Sequence, residues 1–245
     1  MNKNPGAAGS LAFFLIHGYT GSPTDFNGLP KLLERAFGAT VVTPLLPGNG
    51  TKIEDLEGLT IDDFILAAER SLRETMKNHE RVIVVGHSFG GHIALYLAAR
   101  YRINGVITTS IPYRLKFPFN IPGISLLGLF KKRWKKKLPE EEQKRREHSF
   151  YYKDMPAYGM TILSEANELL REYLPRVNSP LLTVQATREY LADLKSIDAI
   201  QNAVRSSVKE KMLVDHGSHG IFYSGLEENI YAGIVTFVER HCLPA

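Results

Sequence analysis

The pentapeptide GHSFG at residues 86–90 carries the clearest chemical signal in the chain, a serine between two glycines. Residues 81–85 form an apolar run of strand length and residues 91–101 are rich in Ala and Leu, so the pattern predicts a strand, a sharp turn and a helix. Such a turn raises a serine hydroxyl above the edge of a sheet, next to the free N–H groups of a helix N-terminus. The pattern therefore predicts Ser88 as a nucleophile and the backbone N–H of Phe89 as a donor to an oxyanion.

Short apolar runs that could position this turn recur along the chain. They lie at residues 11–16, 39–45, 81–85, 105–109, 180–185 and 211–214. Because these runs are continuous and not alternating, they indicate a sheet that is buried on both faces. Helical patterns lie between them at residues 61–76, 91–101 and 229–241. This alternation predicts an α/β fold with a mostly parallel sheet flanked by helices.

Residues 113–178 interrupt the alternation of strands and helices. Six of the seven residues at 131–137 are basic, and helical patterns follow over residues 140–153 and 157–173. The segment holds 14 Lys and Arg against 8 Asp and Glu, whereas the remainder of the chain holds 16 against 18. A local excess of positive charge on this scale is typical of an inserted region or an interaction surface.

The simplest domain organisation is one α/β domain with a helical insertion. We predict that residues 1–112 and 179–245 form the core. Residues 113–178 would then form a small helical cap, inserted between the strand that ends near Thr109 and the strand that begins near Pro180.

The composition excludes several classes of protein. With 245 residues, 44% hydrophobic and 23% charged, the chain is neither disordered nor fibrous. Its single cysteine, Cys242, excludes an internal disulfide and a cysteine-built zinc site. No apolar run reaches the roughly 18 residues that a membrane-spanning helix needs, and the run at residues 11–16 is too short for the core of a signal peptide. We therefore expect a cytoplasmic protein.

Motifs that follow successive strands resemble those of the α/β-hydrolase superfamily, and more closely those of small bacterial carboxylesterases and monoacylglycerol lipases. The motifs are HGYTGSPTDF, PLLPGNG, GHSFGG, VQATRE and GSH, and together they span nearly the whole chain. The resemblance implies an α/β-hydrolase fold with a short charged helical cap. It also implies that the backbone N–H of Tyr19 is the second oxyanion donor. We interpret His17 as a structural loop residue.

The resemblance implies a catalytic acid just after the fifth strand. The family usually has aspartate there, whereas this chain has Glu189. Glutamate can orient a histidine as aspartate does, and Ser-His-Glu triads occur on this fold. Asp193, four residues further on, is the alternative.

The resemblance also implies a general base after the last strand, where DHGSHG at residues 215–220 offers two histidines. The spacing to the C-terminal helix and the small preceding residue favour His219, and His216 is the alternative. The two histidines have no further Cys or His near them in sequence, so we expect no metal site. The order Ser88, Glu189, His219 is the order expected on this fold.

These residues imply a serine carboxylesterase that needs no cofactor. His219 would take the proton of Ser88, whose oxygen attacks an ester carbonyl, and water would then release the acid from the acyl-enzyme. Short-to-medium acyl esters or monoacylglycerols are the expected substrates, because residues 121–130 of the predicted cap are apolar. The same triad could serve a thioesterase, an amidase or an acyltransferase. A binding module with a hydrolase fold and no catalysis is the non-enzymatic alternative.

The basic run at residues 131–137 allows more than one interpretation. It can be the solvated face of a cap that packs over the site, or it can make weak contact with an anionic lipid surface. No nucleic-acid recognition motif accompanies it, so the expected partner is a small ester and not a nucleic acid.

Overall fold

The computed structural model of the chain describes residues 10–120 and 133–243. Its strands are β1 (Leu11–Ile16), β2 (Thr40–Val42), β3 (Arg81–His87), β4 (Gly105–Thr109), β5 (Arg133–Lys135), β6 (Asp154–Pro156), β7 (Leu181–Ala186) and β8 (Lys209–Val214). Its α-helices are α1 (Leu29–Phe37), α2 (Ile61–Asn78), α3 (Phe89–Arg100), α4 (Glu140–Arg145), α5 (Tyr158–Tyr173), α6 (Lys195–Ala203) and α7 (Glu227–His241).

A parallel sheet with the strand order β2-β1-β3-β4-β7-β8 forms the centre of the molecule. The strands β1, β4 and β7 are buried along their whole length, as continuous apolar runs predict. Helices α2, α3, α5 and α6 pack on one face of the sheet, and α1 and α7 pack on the other. The predicted α/β fold with a mostly parallel sheet is confirmed.

The common direction of these strands brings their carboxyl-terminal loops to one edge of the sheet. Tyr19 follows β1, Ser88 follows β3, Glu189 follows β7 and His219 follows β8. Residues that are far apart in sequence therefore meet at this edge.

Outside residues 113–178, the main differences from the prediction are two helices and the extent of one strand. The helices α1 and α6 were not predicted, because each spans only nine residues and buries only a few side chains. Strand β2 spans three residues, whereas an apolar run over residues 39–45 was expected. It lies at the edge of the sheet, and Pro44, which lacks an N–H, follows shortly after it.

The predicted helix over residues 140–153 is wrong in extent. Helix α4 ends at Arg145, and the chain then returns as β6, which pairs antiparallel with β5. The N–H of Lys136 donates to the carbonyl of Lys153 at 3.0 Å and extends this pairing. The predicted helix over residues 157–173 is confirmed as α5.

Some expectations for residues 113–178 lie outside the described residues. These are the apolar stretch at residues 121–130 and the first two residues of the basic run. The division into core and cap remains a prediction. Along residues 10–120 and 133–243, no helix combines the length and the apolar character needed to cross a membrane.

Candidate active site

Ser88 occupies a strained turn between β3 and α3. Its backbone angles are φ 54° and ψ −120°, in the left-handed region that non-glycine residues rarely adopt. The turn is held because the N–H of Ser88 donates to the carbonyl of Thr109 at 2.8 Å, and the N–H of Gly91 donates to the carbonyl of Ser88 at 2.9 Å. These backbone hydrogen bonds hold the strained turn in place.

The two flanking glycines are required by close backbone approach. A Cβ on Gly90 would lie 2.0 Å from the carbonyl oxygen of Ile16, and a Cβ on Gly86 would lie 2.3 Å from the carbonyl oxygen of Gly90. Real Cβ atoms do not come this close to backbone atoms. The glycines therefore allow α3 to begin directly against β1 and next to the loop that contains Tyr19.

Ser88, His219 and Glu189 form a continuous chain of hydrogen bonds. Nε2 of His219 lies 2.9 Å from Oγ of Ser88, and Nδ1 of His219 lies 2.7 Å from Oε2 of Glu189. The other carboxylate oxygen of Glu189 accepts the N–H of Leu191 at 2.8 Å, and the Glu189 side chain is fully buried. This geometry allows a proton to pass from Ser88 to His219 while the carboxylate orients the imidazole.

The two alternative residues lie elsewhere. Oδ1 of Asp193 accepts the N–H of Lys195 at 2.8 Å, at the start of α6, and the N–H of Asp193 donates to the carbonyl of Arg114. The side chain of His216 is 64% exposed and lies 3.4 Å from Asp215. The structure therefore brings Glu189 and His219 to Ser88, and it gives Asp193 and His216 other contacts.

The predicted oxyanion donors belong to Phe89, which follows Ser88 directly, and to Tyr19 in the loop after β1. The N–H of Phe89 belongs to the first turn of α3, where backbone N–H groups have no intrahelical acceptor. The ring of Tyr19 is buried, and its centre lies 5.7 Å from the ring centres of both Phe64 and Phe89. Burial raises the pKa of the Tyr19 hydroxyl, so this side chain stays neutral. Its packing holds the loop that carries the Tyr19 N–H beside the helix N-terminus.

His17 connects two loops through hydrogen bonds and is not part of the hydrogen-bonded chain of Ser88, His219 and Glu189. Its Nε2 accepts the N–H of Leu46 at 3.0 Å, and its Nδ1 lies 2.8 Å from the carbonyl of Gly18. The ring is completely buried, and burial lowers its pKa. These contacts fit the structural role expected from the sequence.

A pocket beside Ser88 is lined by four charged side chains that sequence reasoning missed. They are Asp25, Lys136, Glu142 and Arg146. Burial lowers the pKa of Lys136 to about 8, and its ammonium donates to the Thr20 hydroxyl. A partial signal was available, because Glu142 and Arg146 are four residues apart and can pair on one helix face. Asp25, which pairs with Arg146, lies more than a hundred residues away in sequence and leaves no local signal.

An apolar groove adjoins the charged pocket beside Ser88. Lys136, Met155, Tyr190 and Leu191 line both the pocket and the groove. Further along, the groove is lined by Phe117, Pro118, Phe119, Trp134 and Met160. A bound molecule could therefore place a small polar part in the pocket and an apolar part in the groove.

Two buried histidines near Ser88 make folding stability dependent on pH. Burial lowers the pKa of His87 to about 3 and that of His92 to about 4, from 6.5. In the unfolded chain both histidines become protonated as the pH falls below 6.5, whereas in the folded chain they stay neutral. Acid therefore favours unfolding. Each of these histidines should lower the free energy of unfolding by roughly 1 to 2 kcal/mol between about pH 6.5 and about pH 5.

The substitution His92→Gln tests this pH dependence, because glutamine can keep a hydrogen bond to Asn167. Urea unfolding should show that the variant loses roughly 1 to 2 kcal/mol less than the wild type over the same pH interval. His216→Gln is the matched control, since that side chain is exposed. Equal losses in wild type and His92→Gln would contradict the prediction.

Comparison with known proteins places this chain in a family. The profile of the "Alpha/beta hydrolase family" matches residues 13–228. A thermostable monoacylglycerol lipase of Bacillus sp. (strain H-257) is 24% identical over 212 residues, which cover 86% of this chain and 83% of the lipase. A carboxylesterase of Bacillus subtilis (strain 168) is 23% identical over 237 residues, which cover 95% of this chain and 94% of the esterase.

A solved structure from work on the metagenome-derived lipolytic enzymes LipS and LipT has the same fold. It superimposes with a TM-score of 0.84 at 21% identity, and the match covers 96% of each chain. At this level of identity the likeness concerns the fold. The profile match covers most of the sequence, and the chain belongs to the alpha/beta hydrolase family.

Proposed function

We propose that this chain is a serine carboxylesterase that hydrolyses short-to-medium acyl esters or monoacylglycerols. The observation that carries the proposal is the hydrogen-bonded chain from Glu189 through His219 to Ser88. The lipase and esterase names of the relatives support the same class of reaction. We also propose that residues 113–178 act as the cap of this enzyme.

The first half of the reaction forms an acyl-enzyme. Nε2 of His219 takes the proton of the Ser88 hydroxyl as Oγ attacks the ester carbonyl. The resulting imidazolium is stabilised by the buried carboxylate of Glu189, which lies 2.7 Å from Nδ1. His219 then gives its proton to the leaving alcohol, and the ester C–O bond breaks.

The second half of the reaction releases the acid. His219 takes a proton from water, whose oxygen attacks the acyl carbon, and the proton returns to Ser88 as the acyl–oxygen bond breaks. In both halves the backbone N–H groups of Phe89 and Tyr19 donate to the oxyanion. Each such donor contributes about 3 kcal/mol to lowering the barrier.

The substrate class follows from the shape and polarity of the space beside Ser88. The apolar groove suits an acyl chain, and the charged pocket suits a small polar alcohol such as glycerol. Among the residues that line the groove, Phe117 is 78% exposed, and Lys135 and Lys137 are also exposed and form a basic rim. Weak contact between this basic rim and an anionic lipid surface remains part of the proposal.

Hydrolysis of p-nitrophenyl esters from acetate to palmitate, together with monoacylglycerols of matched acyl length, tests the proposed function. We expect turnover with an optimum at short-to-medium acyl chains and labelling of Ser88 by a fluorophosphonate. Thioesters and anilides of the best acyl group belong in the same panel, because the same three residues could cleave them. Preferred cleavage of one of these would replace the esterase proposal, and absence of both turnover and labelling would favour a binding role.

A further inference from the structure

Arg146 lies at the end of α4 and is buried between the loops that follow β1 and β8. Its side chain is 6% exposed and forms two ion pairs. Nη1 lies 3.2 Å from Oδ1 of Asp25, and Nε lies 2.9 Å from Oε1 of Glu142. Both carboxylates are at most 5% exposed, so all three charges are removed from water.

The contact with Asp25 reaches the Tyr19 loop. Oδ2 of Asp25 accepts the N–H of Gly18 at 3.2 Å, directly before Tyr19 in the chain. The loop encloses this carboxylate, since a Cβ on Gly21 would lie 1.8 Å from the same oxygen. Burial alone would raise the pKa of Asp25, but Arg146 and neighbouring groups lower it below its usual range. The carboxylate is therefore an ionised acceptor that fixes the loop next to the proposed oxyanion donor.

The contact with Glu142 reaches the His219 loop. Oε2 of Glu142 accepts the hydroxyl of Ser218 at 2.6 Å, directly before His219. On the other side of the histidine, a Cβ on Gly220 would lie 2.0 Å from Oε1 of Glu142. The residues directly before and after His219 in the chain therefore both pack against Glu142.

The guanidinium itself is oriented by aromatic rings. It lies 4.5 Å from the ring centre of Tyr223 and 5.2 Å from that of Tyr151. A planar guanidinium can stack on aromatic rings and bind two carboxylates in fixed directions, which an ammonium cannot do. A buried ion-pair cluster is costly to desolvate and is weak evidence for stability. A role in positioning the two loops accounts for its presence beside the site.

We propose that Arg146 is a positioning residue that couples two halves of the active site. Through Asp25 it sets the loop that carries the Tyr19 N–H, and through Glu142 and Ser218 it sets the loop that carries His219. This inference rests on the proposed esterase function. It goes beyond that function by proposing that one side chain from residues 113–178 sets the positions of both active-site loops.

The test compares four variants with the wild type. Arg146→Met removes both ion pairs. Asp25→Asn neutralises the carboxylate that joins Arg146 to the Tyr19 loop, and Ser218→Ala removes the hydrogen bond that joins Glu142 to the His219 loop. Lys144→Met is the matched control, because Lys144 also pairs four residues away on α4, with Glu140, but is exposed. The readouts are kcat per site titrated with a fluorophosphonate, KM, and amide hydrogen exchange of the two loops.

We expect Arg146→Met to lower kcat per titrated site by about 100-fold, with KM changed by less than about threefold. Ser218→Ala should lower kcat by about tenfold, which is the loss of one hydrogen bond to a carboxylate. Exchange should accelerate in both loops for Arg146→Met, in the Tyr19 loop alone for Asp25→Asn and in the His219 loop alone for Ser218→Ala. Lys144→Met should match the wild type.

The outcomes separate the inference from the function on which it rests. A purely structural role would lower the melting temperature and the number of titrated sites, but would leave kcat per site unchanged, and that result would overturn the proposal. If Arg146→Met does not fold, the two single-loop variants decide the matter by the same readouts. If the wild type has no esterase activity, the proposed function fails, and the loop-specific exchange pattern still decides whether Arg146 positions the two loops.

Discussion

Replacement of Ser88 by alanine is expected to lower kcat for p-nitrophenyl butyrate by about a million-fold. The hydroxyl oxygen is the proposed nucleophile, and it lies 2.9 Å from the nitrogen that would take its proton. The folded structure should be retained, because alanine has the same backbone strain as serine at φ 54°. Initial rates at saturating ester, together with unfolding curves, measure both effects.

Ser110→Ala provides a matched control for this substitution. Ser110 is also a buried serine with positive φ, at 50°, and it follows the neighbouring strand β4. Ser110 is not part of the hydrogen-bonded chain of Ser88, His219 and Glu189, so the control should retain kcat to within about threefold. Turnover by Ser88→Ala above about one per cent of wild type would show that another group is the nucleophile.

The substitution Glu189→Gln is expected to lower kcat by about ten thousand-fold. An amide can turn its NH2 group toward Nδ1 of His219 and thereby favour the tautomer in which Nε2 carries the proton. That tautomer cannot accept the proton of Ser88. The amide also cannot balance the positive charge that His219 gains in the reaction. The measurement is kcat at saturating ester, with the titrated sites counted by labelling.

Asp193→Asn is the matched control for the acidic residue. Its carboxylate accepts the N–H of Lys195, so the substitution should affect the start of α6 and leave kcat within about threefold. Glu189→Asp keeps the charge but shortens the side chain, and should fall between wild type and Glu189→Gln. A collapse of activity in Asp193→Asn with an active Glu189→Gln would contradict the geometry seen here.

The local features of this protein were predictable from sequence. The GHSFG turn could be predicted because the apolar strand before it and the helix after it are its neighbours in sequence. The buried strands were recognisable for the same reason, since the sheet is covered on both faces and needs continuous apolar runs. The short helices α1 and α6 carried too little periodic signal to be recognised.

The structure of residues 113–178 was predicted less well, because long-range contacts decide it. Helix α4 ends where Arg146 turns inward to Asp25, a partner 121 residues away. The chain then pairs as β6 with β5, an antiparallel arrangement that the local helical pattern did not indicate. Contacts of this kind override local helix propensity.

The sequence by itself determined the family, the parallel sheet and the order of Ser88, an acid and a histidine, since these follow from motifs and patterns of neighbouring residues. The choice between Glu189 and Asp193 was decided only by tertiary structure. Both are acidic and four residues apart, and only the turn after β7 directs the Glu189 carboxylate to within 2.7 Å of His219. The Arg146 cluster likewise exists only in the folded chain, because burial and ion pairing unite residues from three separate loops and helices.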